Sequence, residues 1–180
     1  CRSQLTKTLF LLFALLFTST RAYTTTTINV IVVYDNTAAA WVASNGGMGN
    51  FATNAVAKMN TVTLNSGVDL SFRLVHTMQV NYSTQHPATG KFNNDLTALS
   101  TNSGVFANVH TERNNKGAYL VAMLVNSGSP LNGGLGHSPL SVAGNPNAAF
   151  SVSDIDAVYK YHTLTHEVGH QLAAGHSRTQ

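Results

Sequence analysis

A run of eleven residues near the end of the sequence constrains this chain more than anything else in it: His166-Glu167-Val168-Gly169-His170-Gln171-Leu172-Ala173-Ala174-Gly175-His176. It demands a helix and then demands that the helix stop. On an α-helix, residues four apart lie above one another with Cβ atoms about 5–6 Å apart. His166 and His170 can therefore turn both imidazoles to one ion, each at roughly 2.0–2.1 Å. Glu167 stands one residue round the helix, where it can reach a water at that ion without becoming a ligand. His176 cannot join from the same helix: at about 3.6 residues per turn it would point away. The chain must break after His170 and swing back, a turn that commonly uses a left-handed glycine. Gly175 lies beside His176; if the turn falls at Ala173 instead, a residue with a Cβ takes the left-handed conformation at roughly 1–2 kcal/mol. Tyr161, Leu164, Val168 and Leu172 supply an apolar stripe on the other side of the predicted helix, as burial of one face requires.

Three neutral nitrogens with an adjacent carboxylate are the donor set of a catalytic zinc ion that keeps its fourth position open. The pattern points to one zinc ion held by His166, His170 and His176, and to peptide hydrolysis with Glu167 as general base. His162 sits four residues before His166 and reads as a solvent-facing or outer histidine. His76 shares its alternation with strand apolars and reads as a core residue; His86, His110 and His137 are scattered, with His137 the one placed to approach a cleft.

Upstream of the motif the chain alternates strand-like and helix-like segments. Residues 28–34 are apolar at nearly every position and predict a strand buried on both faces. Residues 49–64 carry Phe51, Ala55, Met59 and Val62 at helical spacing, with Asn65-Ser66-Gly67 as a stop. Residues 68–76 alternate, with Val68, Leu70, Phe72, Leu74 and His76 on one face. Residues 92–114 predict one broken helix or two short ones, interrupted near Ser103-Gly104, residues 119–125 a buried strand, and 148–152 a short strand before a zinc-site helix starting between Lys160 and Thr163. The glycine-rich segment 133–140 contains Pro139 and fits only an edge strand or loop. This order predicts an α/β fold: a mixed, mostly parallel sheet of about five strands, with an antiparallel edge strand and helical cover.

The first residues form a separate region. Arg2 and Lys7 precede an apolar run from Leu9 to Phe17, and small or polar residues end at Thr20-Arg21-Ala22. This is the pattern of a secretory signal peptide over residues 1–22, too short for a membrane span of about 20 apolar residues. Beyond it the chain carries seven basic and seven acidic residues. The basic balance of the whole sequence therefore gives no support to nucleic-acid binding. Cys1 is the single cysteine, so the remainder has neither a disulfide nor a thiolate metal ligand. Asn81-Tyr82-Ser83 is a glycosylation sequon.

The zinc motif resembles that of the metzincin metalloendopeptidases, H-E-x-x-H-x-x-G-x-x-H, and the upstream chain looks most like their secreted reprolysin-like (adamalysin-type) members. Ile28 to Tyr34 looks like the family's first strand, Asn65 to Val75 its helix-to-strand joint, and Ala148 to Val152 its last strand before the active-site helix. The resemblance spans about residues 28–176. It implies a catalytic domain over 23–176 and, at 177–180, the start of a C-terminal subdomain whose methionine-bearing turn is expected beyond Gln180. It implies zinc ligation by the three histidines, general-base catalysis by Glu167, and an edge strand along the cleft with Leu135 and Gly136 against the substrate backbone. The implied partner is an extracellular protein or peptide substrate, cleaved by a secreted monomer without stable membrane association. Ala173 stands where the family has glycine, and Ser177 where adamalysin-type members have aspartate. Two other readings stand beside this one: a catalytically inactive zinc-binding or adhesion module, and a thermolysin-type site whose third ligand is a distant glutamate.

Overall fold

A computed structural model describes residues 25–84, 92–102, 104–128, 133–137 and 145–176. Residues 1–22, predicted as a signal peptide, and His86, Ser103, residues 138–140 and Ser177 lie outside the described residues. Strand β1 (Thr26–Tyr34) leads through α1 (Asn36–Ala43) and α2 (Met48–Asn65) to β2 (Leu70–Gln79). Helix α3 (Asn93–Ser100), a 3₁₀ turn (Gly104–Phe106) and α4 (Ala107–Asn115) precede β3 (Leu120–Val125) and β4 (Gly134–Gly136). Strand β5 (Phe150–Asp154) is followed by α5 (Ile155–Lys160) and α6 (Thr163–Gln171).

The strands form one sheet in the order β2-β1-β3-β5-β4. The pairs β1–β2, β1–β3 and β3–β5 are parallel, while β4 runs antiparallel to β5 at the edge. β1 and β3 sit in the middle, and helices cover both of their faces, which is why they read as continuous apolar runs. On one face, Val30, Val32, Leu120, Ala122 and Leu124 meet Ala52 and Met59 of α2, Val158 of α5 and Leu164 and Val168 of α6. On the other, Ile31, Val33, Val121, Met123 and Val152 meet Leu96 and Leu99 of α3, Phe106, and Val109 of α4.

Two buried aspartates at strand ends start the helices that follow. Asp35, past β1, accepts from Ala38 N at 2.8 Å, Thr37 Oγ1 at 2.6 Å and Thr84 N at 2.9 Å. Asp154, closing β5, accepts from Asp156 N, Ala157 N, Ser127 N and Ser127 Oγ. A carboxylate at an N-cap satisfies first-turn N–H groups that have no partner within the helix. These caps produce α1 and α5, which the apolar spacing did not predict because each is too short to show a period.

Three expectations change in detail. Tyr161 leaves the apolar stripe: it lies between α5 and α6 and is 54% exposed, so α6 buries Leu164 and Val168 instead. The last strand shifts from 148–152 to Phe150–Asp154, after a 3₁₀ turn opened by Pro146. The pairing of β1 with β2 slips one residue, from Val30↔Leu74 to Ile31↔His76. Such a bulge reverses the alternation and carries His76 off the face of Leu70, Phe72 and Leu74.

Candidate metal and catalytic site

Helix α6 packs its Leu164–Val168 stripe on the sheet and ends in a tight C-terminal turn. Ala173 has φ 68°, and the bonds Ala174 N→Gly169 O at 2.9 Å and Ala173 N→His170 O at 2.9 Å close the turn. This is the Schellman arrangement, with alanine in the left-handed position where glycine is usual. The turn performs the reversal that the sequence required and returns His176 to the helix face.

The three imidazoles converge. His166 Nε2 lies 3.1 Å from His170 Nε2 and 3.1 Å from His176 Nε2, and together they are a metal-capable cluster among the described residues. Nitrogens held tetrahedrally at about 2.05 Å from zinc would be about 3.3 Å apart, so the spacing fits the ion. His170 Nδ1 lies 2.9 Å from Ala174 O. Donation to that carbonyl places the proton on Nδ1 and leaves Nε2 free to bind metal. Burial, then the neighbouring His170 and His176, lower the His166 pKa, which favours the unprotonated ring a metal needs.

Glu167 is 5% exposed, on the sheet side of α6. Burial raises its pKa; the His170 ring and the nearby Gly136 N–H act in the opposite sense. A carboxylate pushed upward in this way is better matched to accepting and returning a proton near neutral pH. The backbone of β4 presses against this residue. A Cβ added to Gly136 would lie 2.5 Å from the Glu167 carbonyl oxygen, and one on Gly134 would lie 2.7 Å from Glu167 Cγ. Only strand residues without side chains allow α6 so close. Glycine at alternate strand positions is the sequence signal for such an approach; Gly134 belongs to the site but was not singled out by its spacing.

Ladder bonds from His137 N to Phe150 O (3.1 Å) and Asp154 N to Gly133 O (2.8 Å) flank the β4–β5 register. Antiparallel alternation then turns the backbone of Leu135 toward Val152, and the N–H and C=O groups of Gly134 and Gly136 toward the open edge. The Leu135 side chain packs with the core on the far face. At the Gly134 end lies a cleft of about 450 Å³, lined by Gly133, Gly134, Tyr161, His162, Thr163, His166 and Glu167.

Among the described residues, the other histidines are not members of the cluster. His162 precedes α6 with its side chain uncommitted to the helix start. His110 Nε2 lies 2.9 Å from Leu99 O and its ring stacks on Phe150, on the opposite face of the sheet. His137 is half-buried beyond β4, and burial lowers its pKa.

The reprolysin model described as metallo-peptidase family M12 matches residues 24–180. The chain is 32% identical over 156 residues to a peptidyl-Asp metalloendopeptidase of Stenotrophomonas maltophilia, covering 85% of this chain and 34% of the relative. A peptidyl-Asp metalloendopeptidase of Xanthomonas campestris pv. campestris is 31% identical over 153 residues, 83% of this chain and 34% of its own length. The chain thus spans about a third of the length of these curated relatives. A chain in a solved chaperone–substrate complex superposes on 87% of this one at TM-score 0.65 and 16% identity, over 25% of that chain. At that identity the likeness is one of fold alone.

Proposed function

The chain belongs to metallo-peptidase family M12, and on that premise we propose that it carries the catalytic site of a secreted, zinc-dependent endopeptidase acting on extracellular proteins. The observation that carries the reading is the convergence of three Nε2 atoms at 3.1 Å contacts beside a buried carboxylate on the same helix. When bound, a zinc ion supplies Lewis acidity, which makes water nucleophilic near neutral pH and polarises the peptide carbonyl. Glu167 takes the proton of the attacking water and returns it to the leaving amine. Its raised pKa serves both transfers.

Gly134 and Gly136 offer their outward backbone groups to an extended peptide, which adds to the sheet as a further strand. Leu135 lies between them, its own backbone turned to Val152, so the substrate-backbone contacts belong to Gly134 and Gly136. An antiparallel guest runs from Gly136 toward Gly134. The residue after the cleaved bond then lies over the cleft lined by Tyr161, His162 and Thr163. The relatives are named for peptidyl-Asp cleavage, and an aspartyl side chain in this cleft would meet His162, a donor able to carry charge. The apolar leader over residues 9–17 supports secretion. No helix among the described residues is long and apolar enough to cross a membrane.

Zinc analysis paired with casein cleavage by wild type and Glu167→Ala tests the reading. The expected result is zinc in both proteins and cleavage only in wild type. Zinc without Glu167-dependent cleavage would instead support an inactive zinc-binding module.

A further inference from the structure

Between α6 and β5, three buried polar side chains find no hydrogen-bond partner among the described residues: Ser151, Ser153 and Gln171. Ser151 and Ser153 are fully buried and alternate with Phe150 and Val152, so both hydroxyls face α6. Gln171 is 2% exposed and lies one helical turn beyond Glu167 on the same face. A buried hydroxyl without a partner is destabilising by about 1–3 kcal/mol. Serine at 151 and 153 is therefore a worse choice for folding than alanine.

Ser153 is distinguished from the other two by what stands opposite it. It pairs with Gly134, and Ser151 pairs with Gly136. The space over Gly134 is taken by the Glu167 side chain: a Cβ there would lie 2.7 Å from Glu167 Cγ and 3.0 Å from Ser153 Oγ. Those two distances cap the separation of Ser153 Oγ from Glu167 Cγ at about 5.7 Å. The space over Gly136 is taken by the backbone of Glu167, its carbonyl oxygen nearest. One serine thus faces the side chain of the general base, and the other faces its main chain.

We propose that Ser153 is a positioning residue for Glu167, resting on the peptidase reading above. Its hydroxyl donates to the Glu167 carboxylate when a substrate fills the cleft, fixing the rotamer from which the carboxylate meets the water. A small rotation of either side chain closes the remaining distance, in keeping with the tightening of catalytic hydrogen bonds on substrate binding. The stability given up by burying this hydroxyl is returned as orientation of the base.

The test uses the full chain with zinc. Ser153→Ala removes one oxygen and leaves the packing intact. Thermal stability should hold or rise, zinc content should stay at the wild-type level, and kcat should fall roughly tenfold or more with KM little changed, as for other outer residues that orient a metal site. Ser151→Ala is the control: it should gain the same stability and keep wild-type kcat. Ser153→Cys, which retains a weak donor, should recover part of the loss. If wild type cleaves peptide and Ser153→Ala cleaves it equally fast, or if both alanine variants slow it alike, the positioning role is overturned while the peptidase reading stands. A zinc-loaded wild type that cleaves nothing overturns both.

Discussion

Gly136→Ala is the sharpest probe of how this fold builds its site. The added Cβ would lie 2.5 Å from the Glu167 carbonyl oxygen, with the Glu167 carbonyl carbon at 3.3 Å and Cα at 3.5 Å. Ordinary contact begins at 3.4 Å, so β4 and α6 must separate by about 0.9 Å. The obstructing atoms belong to helix backbone, so no rotamer change relieves them. Overpacking of this kind is destabilising by about 1–3 kcal/mol, a fall in Tm of roughly 3–10 °C for a domain this size. The same displacement shifts Glu167 and the histidine cluster together against the open edge that would hold the substrate, and a misplacement of about 1 Å lowers catalytic efficiency on the order of a hundredfold. The assays are thermal unfolding, zinc content, and kcat/KM on a peptide substrate. Zinc should remain bound, because all three histidines sit on α6 and its C-terminal turn. Gly49→Ala, in the first turn of α2 with nothing within 4 Å of the added carbon, is the control and should leave all three unchanged or gain slightly in stability. A Gly136→Ala protein with wild-type Tm and kcat/KM would refute the claim that this glycine sets the helix–strand distance.

Ala173→Gly should stabilise the protein by about 0.5–1 kcal/mol in denaturant titration: relief of the left-handed strain exceeds the entropy glycine adds to the unfolded chain. His176→Ala should lower zinc affinity at least tenfold by competition with a chelating dye, and unchanged affinity would point to a thermolysin-type ligand elsewhere. Removing zinc from the wild type should lower Tm in proportion to the lost binding free energy, about 4 kcal/mol at zinc concentrations a thousandfold above Kd. His137 titrates below its usual 6.5 because it is buried. The unfolded chain therefore takes up the proton first as pH falls, so the His137 contribution is complete above pH 6.5 and lost as pH drops below it. His137→Gln should flatten that part of the stability profile in zinc-saturated protein.

The general architecture was legible because it rests on local pattern. Two continuous apolar runs became the central strands β1 and β3, and the helical spacing from Phe51 to Val62 became α2. The glycine-rich segment became the edge strand. The features that escaped have no local period. Helices α1 and α5 depend on Asp35 and Asp154 as caps. The bulge that turns His76 to the other face is a property of the β1–β2 register, absent from β2 alone.

At the site the division follows sequence distance. The sequence by itself determined that His166, Glu167 and His170 share one helix, because residues within a turn are placed by helix geometry. It also determined that the chain must reverse before His176 for the third imidazole to join them. Only the tertiary structure decided that Ala173 makes the reversal, that Gly134 and Gly136 let the edge strand touch Glu167, and that Ser153 lies across from its side chain. Those contacts join Glu167 of α6 to strand residues 14 to 33 positions upstream. Nothing in a short window encodes them, since they depend on which strand pairs with which and in what register.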